Sequence, residues 1–106
     1  MSRILLVRTS FGSADEAARI AHAMIEARLA ACASIEPIRS IYRWQGTVET
    51  DDETAVLFKT TTDRAPALKA AITAQHGYDL PVIEAWEADV DPAVGEWIYE
   101  ETASVS

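Results

Sequence analysis

The sequence predicts a single α+β domain whose elements follow the order β-α-β-β-α-β, with one more helix at the C-terminus. Two observations lead to this prediction. Apolar residues recur at helical spacing in three segments, and short runs rich in β-branched residues separate those segments. The chain has 106 residues, of which 49% are hydrophobic, which is enough for one core and leaves no room for a second domain. Residues 1–106 are therefore predicted to form one domain.

The first strand and the first helix are predicted within residues 3–29. The apolar run Arg3-Ile-Leu-Leu-Val-Arg8 indicates a buried strand, and the residues that follow it indicate a loop. Ser13-Ala-Asp-Glu16 has the form of a capping box, in which the Ser13 hydroxyl binds the amide of Glu16 and the Glu16 carboxylate reaches back. The helix that starts there has an apolar face formed by Ala17, Ile20, Ala21, Met24, Ile25 and Leu29.

The next two strands are predicted to form a long hairpin. The second strand begins near Cys32, because Pro37 opposes any further helix. Residues 38–44 alternate in part between large apolar and polar side chains, and Gln45-Gly46 then supplies a turn. The return strand runs through an acidic stretch into a β-rich run over residues 49–61. We expect this strand to be long and either bent or bulged.

The last third of the chain predicts a helix, a strand and a terminal helix. Asp63 and Pro66 are start signals for the helix, and Gly77 is a natural stop. Residues 82–88 indicate a strand, although their alternation is incomplete. Residues 91–101 open on a capping aspartate and a proline and continue with amphipathic spacing. The full order is the ferredoxin-like pattern, with an antiparallel sheet and helices on one face.

The other face of such a sheet is left without a cover, and this predicts an oligomer. A long hairpin that extends beyond the core adds a second surface for contacts between subunits. Tyr42 and Trp44 lie near the tip of that hairpin, and we expect a neighbouring subunit to bury them.

Charge and composition exclude several classes of function. The formal net charge of −8 argues against nucleic acid and anionic membranes as partners, because both attract Lys and Arg. No apolar run approaches the roughly 20 residues of a membrane span, and the N-terminal apolar stretch is too short for a signal peptide. Cys32 is the only cysteine, which fits a reducing compartment. A cytoplasmic location is the resulting expectation.

Beyond Lys69, every formally charged side chain is acidic. One interpretation is an ordinary solvated acidic face. The other is a surface that raises the local concentration of cations without a defined ligand shell.

Several ordered segments together resemble one known family. These segments are Leu29-Ala-Ala-Cys-Ala-Ser-Ile35, Ser40-Ile-Tyr-Arg-Trp-Gln-Gly46, Glu53, Lys59-Thr60, His76-Gly-Tyr-Asp-Leu-Pro-Val-Ile83 and Trp97-Ile98. In them the chain is similar to the CutA-type divalent-cation tolerance proteins over nearly its whole length. The resemblance implies a ferredoxin-like protomer in a tight homotrimer and an association with tolerance to divalent cations such as copper. It also implies a likeness in shape to the PII signalling proteins.

Cys32 and His76 are the candidate metal ligands, because thiolate and imidazole suit copper and zinc better than carboxylates do. Cys32 is also interpreted as a small core residue, and His76 as a hydrogen-bonded structural residue. Copper-binding proteins that resemble this chain carry a cysteine and a second histidine where it has Arg8 and Gln75. Of that set only His76 is retained, so weak binding of a divalent metal such as copper is the expectation, and no cofactor is assigned.

A second group of polar residues predicts a cleft rather than a metal site. Arg8, Lys59, His76, Tyr78 and Asp79 are expected near strand ends, where clefts between subunits would bind a small anion or metabolite. No combination of residues predicts catalysis, so the chain is not expected to be an enzyme. The leading hypothesis is a trimeric divalent-cation tolerance protein. The alternative is a PII-like signalling or scaffold trimer that recognises a metabolite or a protein partner.

Overall fold

The structure, a computed structural model, describes residues 2–104. Its elements are β1 (Ser2–Phe11), α1 (Ala14–Glu26), β2 (Cys32–Trp44), β3 (Thr47–Thr60), α2 (Ala65–Gln75), β4 (Glu84–Val90) and α3 (Pro92–Glu101). The strands form one antiparallel sheet in the order β2-β3-β1-β4. This confirms the predicted α+β class and element order. The ends of the predicted domain, residues 1, 105 and 106, lie outside the described residues.

Helices α1 and α2 cover one face of the sheet and enclose the main core with it. Side chains alternate between the two faces of a strand, so Leu5, Val7, Thr9 and Phe11 of β1 all point towards these helices. The buried residues of this cluster are Val7, Phe11, Ala17, Ile20, Ala21, Met24, Ala30, Val56, Phe58, Leu68 and Ile72. The apolar stripe predicted for α1 is therefore the surface that packs on the sheet.

The opposite face is partly covered by α3. A side chain at Gly95 would meet the Cβ atom of Ser2 at 2.4 Å, which shows how closely α3 approaches the start of β1. Ile4 lies on the same face as Ser2, and both Ile4 and Ile98 of α3 are buried. The prediction that the helices lie on one face is thus correct for α1 and α2 and wrong for α3. The remainder of this face, here called the open face, carries the candidate site.

The predicted capping box at the start of α1 is half correct. The Ser13 hydroxyl accepts a hydrogen bond from the Glu16 amide at 3.1 Å, as the sequence indicates. The Glu16 carboxylate does not return to Ser13, because it accepts a hydrogen bond from the Gly77 amide at 3.1 Å. Glu16, which the sequence predicts to cap its own helix, therefore binds the distant segment that follows α2.

α1 ends earlier than predicted, and its end is tied to α3. The helix stops at Glu26, so Leu29 lies beyond it. Arg28 takes a left-handed conformation with φ of 61°, which reverses the chain. Its guanidinium donates hydrogen bonds to the carbonyl oxygens of Glu100 and Glu101 at 3.4 and 3.1 Å. These bonds satisfy carbonyl groups at the end of α3 that have no partner within the helix.

The long hairpin is present, and the expected bulge is absent from it. Pairing between β2 and β3 runs without a change of register from Cys32 opposite Lys59 to Trp44 opposite Thr47. The turn has positive φ at both Gln45 (49°) and Gly46 (85°), which matches the twist of the strands. The acidic stretch stays in the strand because Asp51 and Asp52 are exposed to solvent and Glu49 and Glu53 are only partly buried. Pro37 is accommodated in β2 since that strand is an edge of the sheet.

The remaining element boundaries shift by a few residues. α2 begins at Ala65 after Arg64, without a side-chain cap, so Asp63 does not act as one. The fourth strand begins and ends two residues later than predicted. Asp91 precedes α3 but makes no side-chain capping bond. Across residues 2–104, no helix combines the length and the apolar character needed to cross a membrane.

Candidate ligand cleft on the open face of the sheet

A cleft of about 630 Å³ lies on the open face, between the hairpin and the segment that follows α2. Its lining consists of Arg8, Thr9, Ser10, Ile38, Ser40, Tyr42, Arg43, Trp44, Glu53, Gly77, Tyr78, Asp79, Leu80, Val82 and Glu84. The volume falls in the range of small-molecule sites, and apolar atoms make up most of the lining surface although most of the lining residues are polar or charged.

Strand alternation explains why these residues meet. Arg8 and Ser10 point away from the helices, and so do the even-numbered residues of β2 from Ile38 to Trp44. Residues 77–80 and Val82 form the opposite wall. The cleft is thus built from one face of the β1, β2 and β3 strands and from a loop that tertiary contacts hold in place.

His76 holds that loop and does not line the cleft. Its Nε2 atom donates to the Ser10 carbonyl oxygen at 2.7 Å, and its Nδ1 atom accepts from the Tyr78 amide at 3.1 Å. A carbonyl only accepts and an amide N–H only donates, so this pair of bonds requires the neutral Nε2–H tautomer. The ring also stacks on Phe11 with centroids 4.5 Å apart and planes at 17°. Both ring nitrogens are therefore engaged in structural bonds.

Glu53 lies on the floor of the cleft and organises its polar contacts. Its Oε1 atom accepts hydrogen bonds from the Tyr78 hydroxyl at 2.6 Å and from the Ser10 hydroxyl at 3.3 Å. Partial burial, together with the bond to Glu53 and the charge of that carboxylate, raises the pKa of Tyr78 well above its usual value. Tyr78 consequently stays a neutral hydrogen-bond donor at ordinary pH.

A second phenol and an ion pair complete the walls. The Tyr42 hydroxyl donates a hydrogen bond to the Asp51 carboxylate, and this bond raises the pKa of Tyr42 to about 12. Arg8 contacts Glu84 on the neighbouring strand with an N–O distance of 3.4 Å. Within this pair the positive charge of Arg8 is largely balanced.

The structure brings together most of the predicted cleft residues. Arg8, Tyr78 and Asp79 line the cleft, and the predicted interface residues Tyr42 and Trp44 line it as well. Lys59 is not part of the lining. It lies opposite Leu6, nearer the end of the sheet where Cys32 is found.

The two predicted metal ligands lie far apart within one chain. His76 binds the backbone of Ser10, which pairs with Ala55, whereas Cys32 pairs with Lys59. Four residues of strand span about 13 Å, and metal–ligand bonds are only about 2 Å long. One chain therefore cannot bind a single ion through both side chains. In the described part of the chain, no three His, Cys, Asp or Glu side chains are grouped so as to hold a metal.

Sequence reasoning missed Glu53 as the centre of the cleft, although it noted the residue in the family resemblance. In the sequence Glu53 is the last residue of an acidic stretch, and its role depends on the unbroken register that places it opposite Ile38. Glu84 was missed likewise, because only the pairing of β4 with β1 sets it opposite Arg8. The partial alternation of residues 38–44 was the signal in the sequence for this shared face.

Comparison with known proteins places these features in a family context. Residues 5–101 match the family described as CutA1 divalent ion tolerance protein. The divalent-cation tolerance protein CutA of Thermus thermophilus is 41% identical over 104 residues, which is 96% of this chain and 99% of that protein.

Solved structures agree with the fold. The crystal structure of the divalent ion tolerance protein CutA1 from Ehrlichia chaffeensis matches with a TM-score of 0.92 and 31% identity, over 98% of this chain and 99% of that one. A protein from Archaeoglobus fulgidus, described as the periplasmic divalent cation tolerance protein CutA, matches with a TM-score of 0.90 and 30% identity. It is aligned over 96% of this chain and 100% of its own.

Proposed function

The chain belongs to the CutA1 divalent ion tolerance protein family, and from this premise we propose that it contributes to divalent-cation tolerance as a homotrimer, by binding rather than catalysis. The main support for the trimer is the exposure of large apolar side chains. Ile41 and Val48 of the hairpin are 71% and 62% exposed, and Leu80 and Val82 of the cleft loop are 66% and 63% exposed. Protein monomers seldom leave large apolar patches in water, so these surfaces favour contact with further copies.

The arrangement of the sheet supports a cyclic assembly. β2 and β4 are its two edges, and each offers backbone groups without a strand partner in the described chain. A cyclic trimer pairs one surface of each subunit with a different surface of the next and leaves no contact open. The chain is 46 Å long and 20 Å across in its thinnest direction. Its projecting hairpin is long enough to contact a neighbouring subunit.

The trimer has a direct test. Size-exclusion chromatography with light scattering at micromolar concentration is expected to give three times the 11.6 kDa mass of one chain. A mass of one chain across the same concentration range would refute the assembly. Native mass spectrometry of gently purified protein would add the identity of any retained metal or small molecule.

The donor set within one chain does not fit a resident copper site. Cys32 and His76 are separated, and the His76 nitrogens are both hydrogen-bonded. We therefore propose that any divalent metal binds weakly, through the acidic surface, and that tolerance does not depend on a metal centre built by one protomer.

Because both His76 nitrogens are hydrogen-bonded, the loss of this side chain is expected to leave copper binding unchanged. Calorimetric isotherms of the wild type and of His76→Ala are expected to coincide, because the Nδ1 lone pair is already committed to the Tyr78 amide. Cys32→Ser tests the other residue in the same way. A fall in copper affinity of tenfold or more in His76→Ala, with circular dichroism unchanged, would restore His76 as a ligand.

We extend the proposal to a cytoplasmic location, because the single thiol of Cys32 suits a reducing compartment. The Archaeoglobus fulgidus relative is described as periplasmic. Fractionation of the native cells with detection by antibody decides between the two locations.

A second candidate function is that of a PII-like signalling or scaffold trimer that recognises a metabolite. The observation that favours it is the cleft itself. Its walls combine aromatic rings with the Glu53 carboxylate, which a hydrogen bond from the Tyr78 hydroxyl holds in place. The two candidates are compatible if ligand binding in the cleft reports to a partner protein.

A further inference from the structure

We infer that His76 is a pH-sensitive latch: a second proton on its ring releases the loop of residues 77–82 from the sheet and thereby weakens the contact between subunits. The inference rests on the proposed trimer, because Leu80 and Val82 of this loop are among the apolar residues assigned to that contact. The hydrogen bonds of the latch itself lie within one chain, so the loop and the assembly are tested separately.

The contacts of His76 require a ring with one proton. The Ser10 carbonyl, 2.7 Å from Nε2, only accepts a hydrogen bond, and the Tyr78 amide, 3.1 Å from Nδ1, only donates one. A second proton on the ring would be bound to Nδ1 and would point at the Tyr78 N–H. Two donors would then face each other in place of a hydrogen bond, so the charged ring opposes the present position of the loop.

Few other hydrogen bonds hold this loop. Within the described part of the chain there are two, from the Gly77 amide to Glu16 and from the Tyr78 hydroxyl to Glu53. Both lie at the surface, where water competes for the same groups. A segment with so few bonds opens at a small cost in free energy, so the loss of the bond to His76 is enough to change how often the loop is open.

No ion pair compensates a charged His76 ring. β1 presents only neutral groups to it, namely the Thr9 hydroxyl at 3.5 Å, the Ser10 carbonyl and the stacked ring of Phe11. Among residues 2–104, no Asp or Glu oxygen lies within 4.0 Å of a His76 nitrogen. The imidazolium therefore gains no direct partner in exchange for the hydrogen bond that it loses.

The titratable groups around the latch bind the loop instead of the ring. The Glu16 carboxylate of α1 and the Glu53 carboxylate of β3 accept hydrogen bonds from Gly77 and Tyr78. Asp79, in the loop itself, forms no ion pair with a described residue. The Tyr78 hydroxyl stays neutral, because partial burial raises its pKa. None of these groups replaces the acceptor that the Tyr78 amide loses when Nδ1 is protonated.

Proton linkage gives the direction of the pH effect. In the closed loop the Tyr78 amide occupies Nδ1, whereas in an open loop this nitrogen is free to bind a proton. The open form therefore binds more protons, and its population grows as the pH falls. Histidine is the side chain that ordinarily changes charge between about pH 5 and 8. The loop is thus held at the upper end of that range and released towards the lower end.

The test follows hydrogen exchange of the Tyr78 amide by NMR, on the full chain in its native assembly, between about pH 7.5 and 5.5. After correction for the intrinsic exchange rate, the protection of this amide is expected to fall at least about tenfold over that range. Its midpoint should coincide with that of the His76 ring nitrogen shifts, which should show the Nε2–H tautomer at the upper pH. Constant protection, or the other tautomer, overturns the inference.

His76→Gln removes the titrating ring and keeps a side-chain N–H that can donate to the Ser10 carbonyl. Its Tyr78 amide is expected to be weakly protected, and equally so at both pH values. His22→Gln is the matched control, because His22 is the other histidine of the chain and lies exposed on α1, 3.8 Å from Glu26. It should keep the wild-type pH dependence, and the same dependence in His76→Gln would refute the latch. If His76→Gln fails to fold, the two midpoints measured on the wild type decide.

Light scattering on dilution series of the same proteins separates the latch from the proposed trimer. The protomer concentration at half dissociation is expected to rise at least about tenfold from the upper to the lower pH in the wild type and in His22→Gln, and to stay constant in His76→Gln. A concentration that does not change while the loop opens overturns the link to assembly. The mass of one chain at every pH, with the loop opening as described, supports the latch and refutes the trimer.

Discussion

Phe11→Ala is expected to lower the free energy of unfolding by about 3–5 kcal/mol, the largest effect predicted for any single substitution considered. Phe11 is completely buried at the end of β1, between the helices and the His76 ring. Removing its ring leaves a cavity and also removes the surface on which His76 stacks. The loop that carries Tyr78 should therefore loosen together with the core.

Urea denaturation at a fixed protomer concentration measures this loss, and a fixed concentration is needed because assembly contributes to apparent stability. Ile35→Ala is the matched control. Ile35 lies on β2, facing the same helices, but it is 46% exposed, so its truncation is expected to cost less than about 1 kcal/mol. A loss below about 1 kcal/mol for Phe11→Ala would show that the core does not depend on this ring.

Trp44→Ala is expected to dissociate the trimer at concentrations where the wild type stays assembled. Trp44 is 41% exposed at the end of β2, next to the hairpin turn, where nothing in its own chain covers it fully. Tryptophans that bind a neighbour often contribute about 2 kcal/mol or more to a contact. Three such contacts in a cyclic trimer would raise the protomer concentration at half dissociation by about 100-fold.

Light scattering across a dilution series measures that midpoint for the wild type and the variant. Tyr99→Ala is the control, since Tyr99 is an aromatic residue of α3 that is 64% exposed and lies away from both hairpin and cleft. Its dilution curve should match the wild type. Unchanged mass and melting temperature in Trp44→Ala would remove Trp44 from the interface.

The sequence was sufficient for the element order, because each element carries its own local signal. Ser13 caps α1 as predicted, the apolar stripe of α1 is buried, and the turn at Gln45-Gly46 closes the hairpin. These features depend on residues within a few positions of one another. Even the face of β2 that lines the cleft follows from simple alternation along the strand.

The fold class and the family resemblance thus follow from the order of the residues, whereas the roles of the polar side chains depend on how the elements pack together. The Glu16 carboxylate accepts a hydrogen bond from the Gly77 amide instead of capping α1. Both ring nitrogens of His76 form hydrogen bonds that hold the loop after α2. Glu53 meets Tyr78 and Ser10 from distant parts of the chain. A polar side chain binds the nearest suitable partner in space, and strand register sets that partner rather than separation along the chain. For that reason His76 became a residue that holds a loop, and Glu53 became the residue to which the Tyr78 and Ser10 hydroxyls donate.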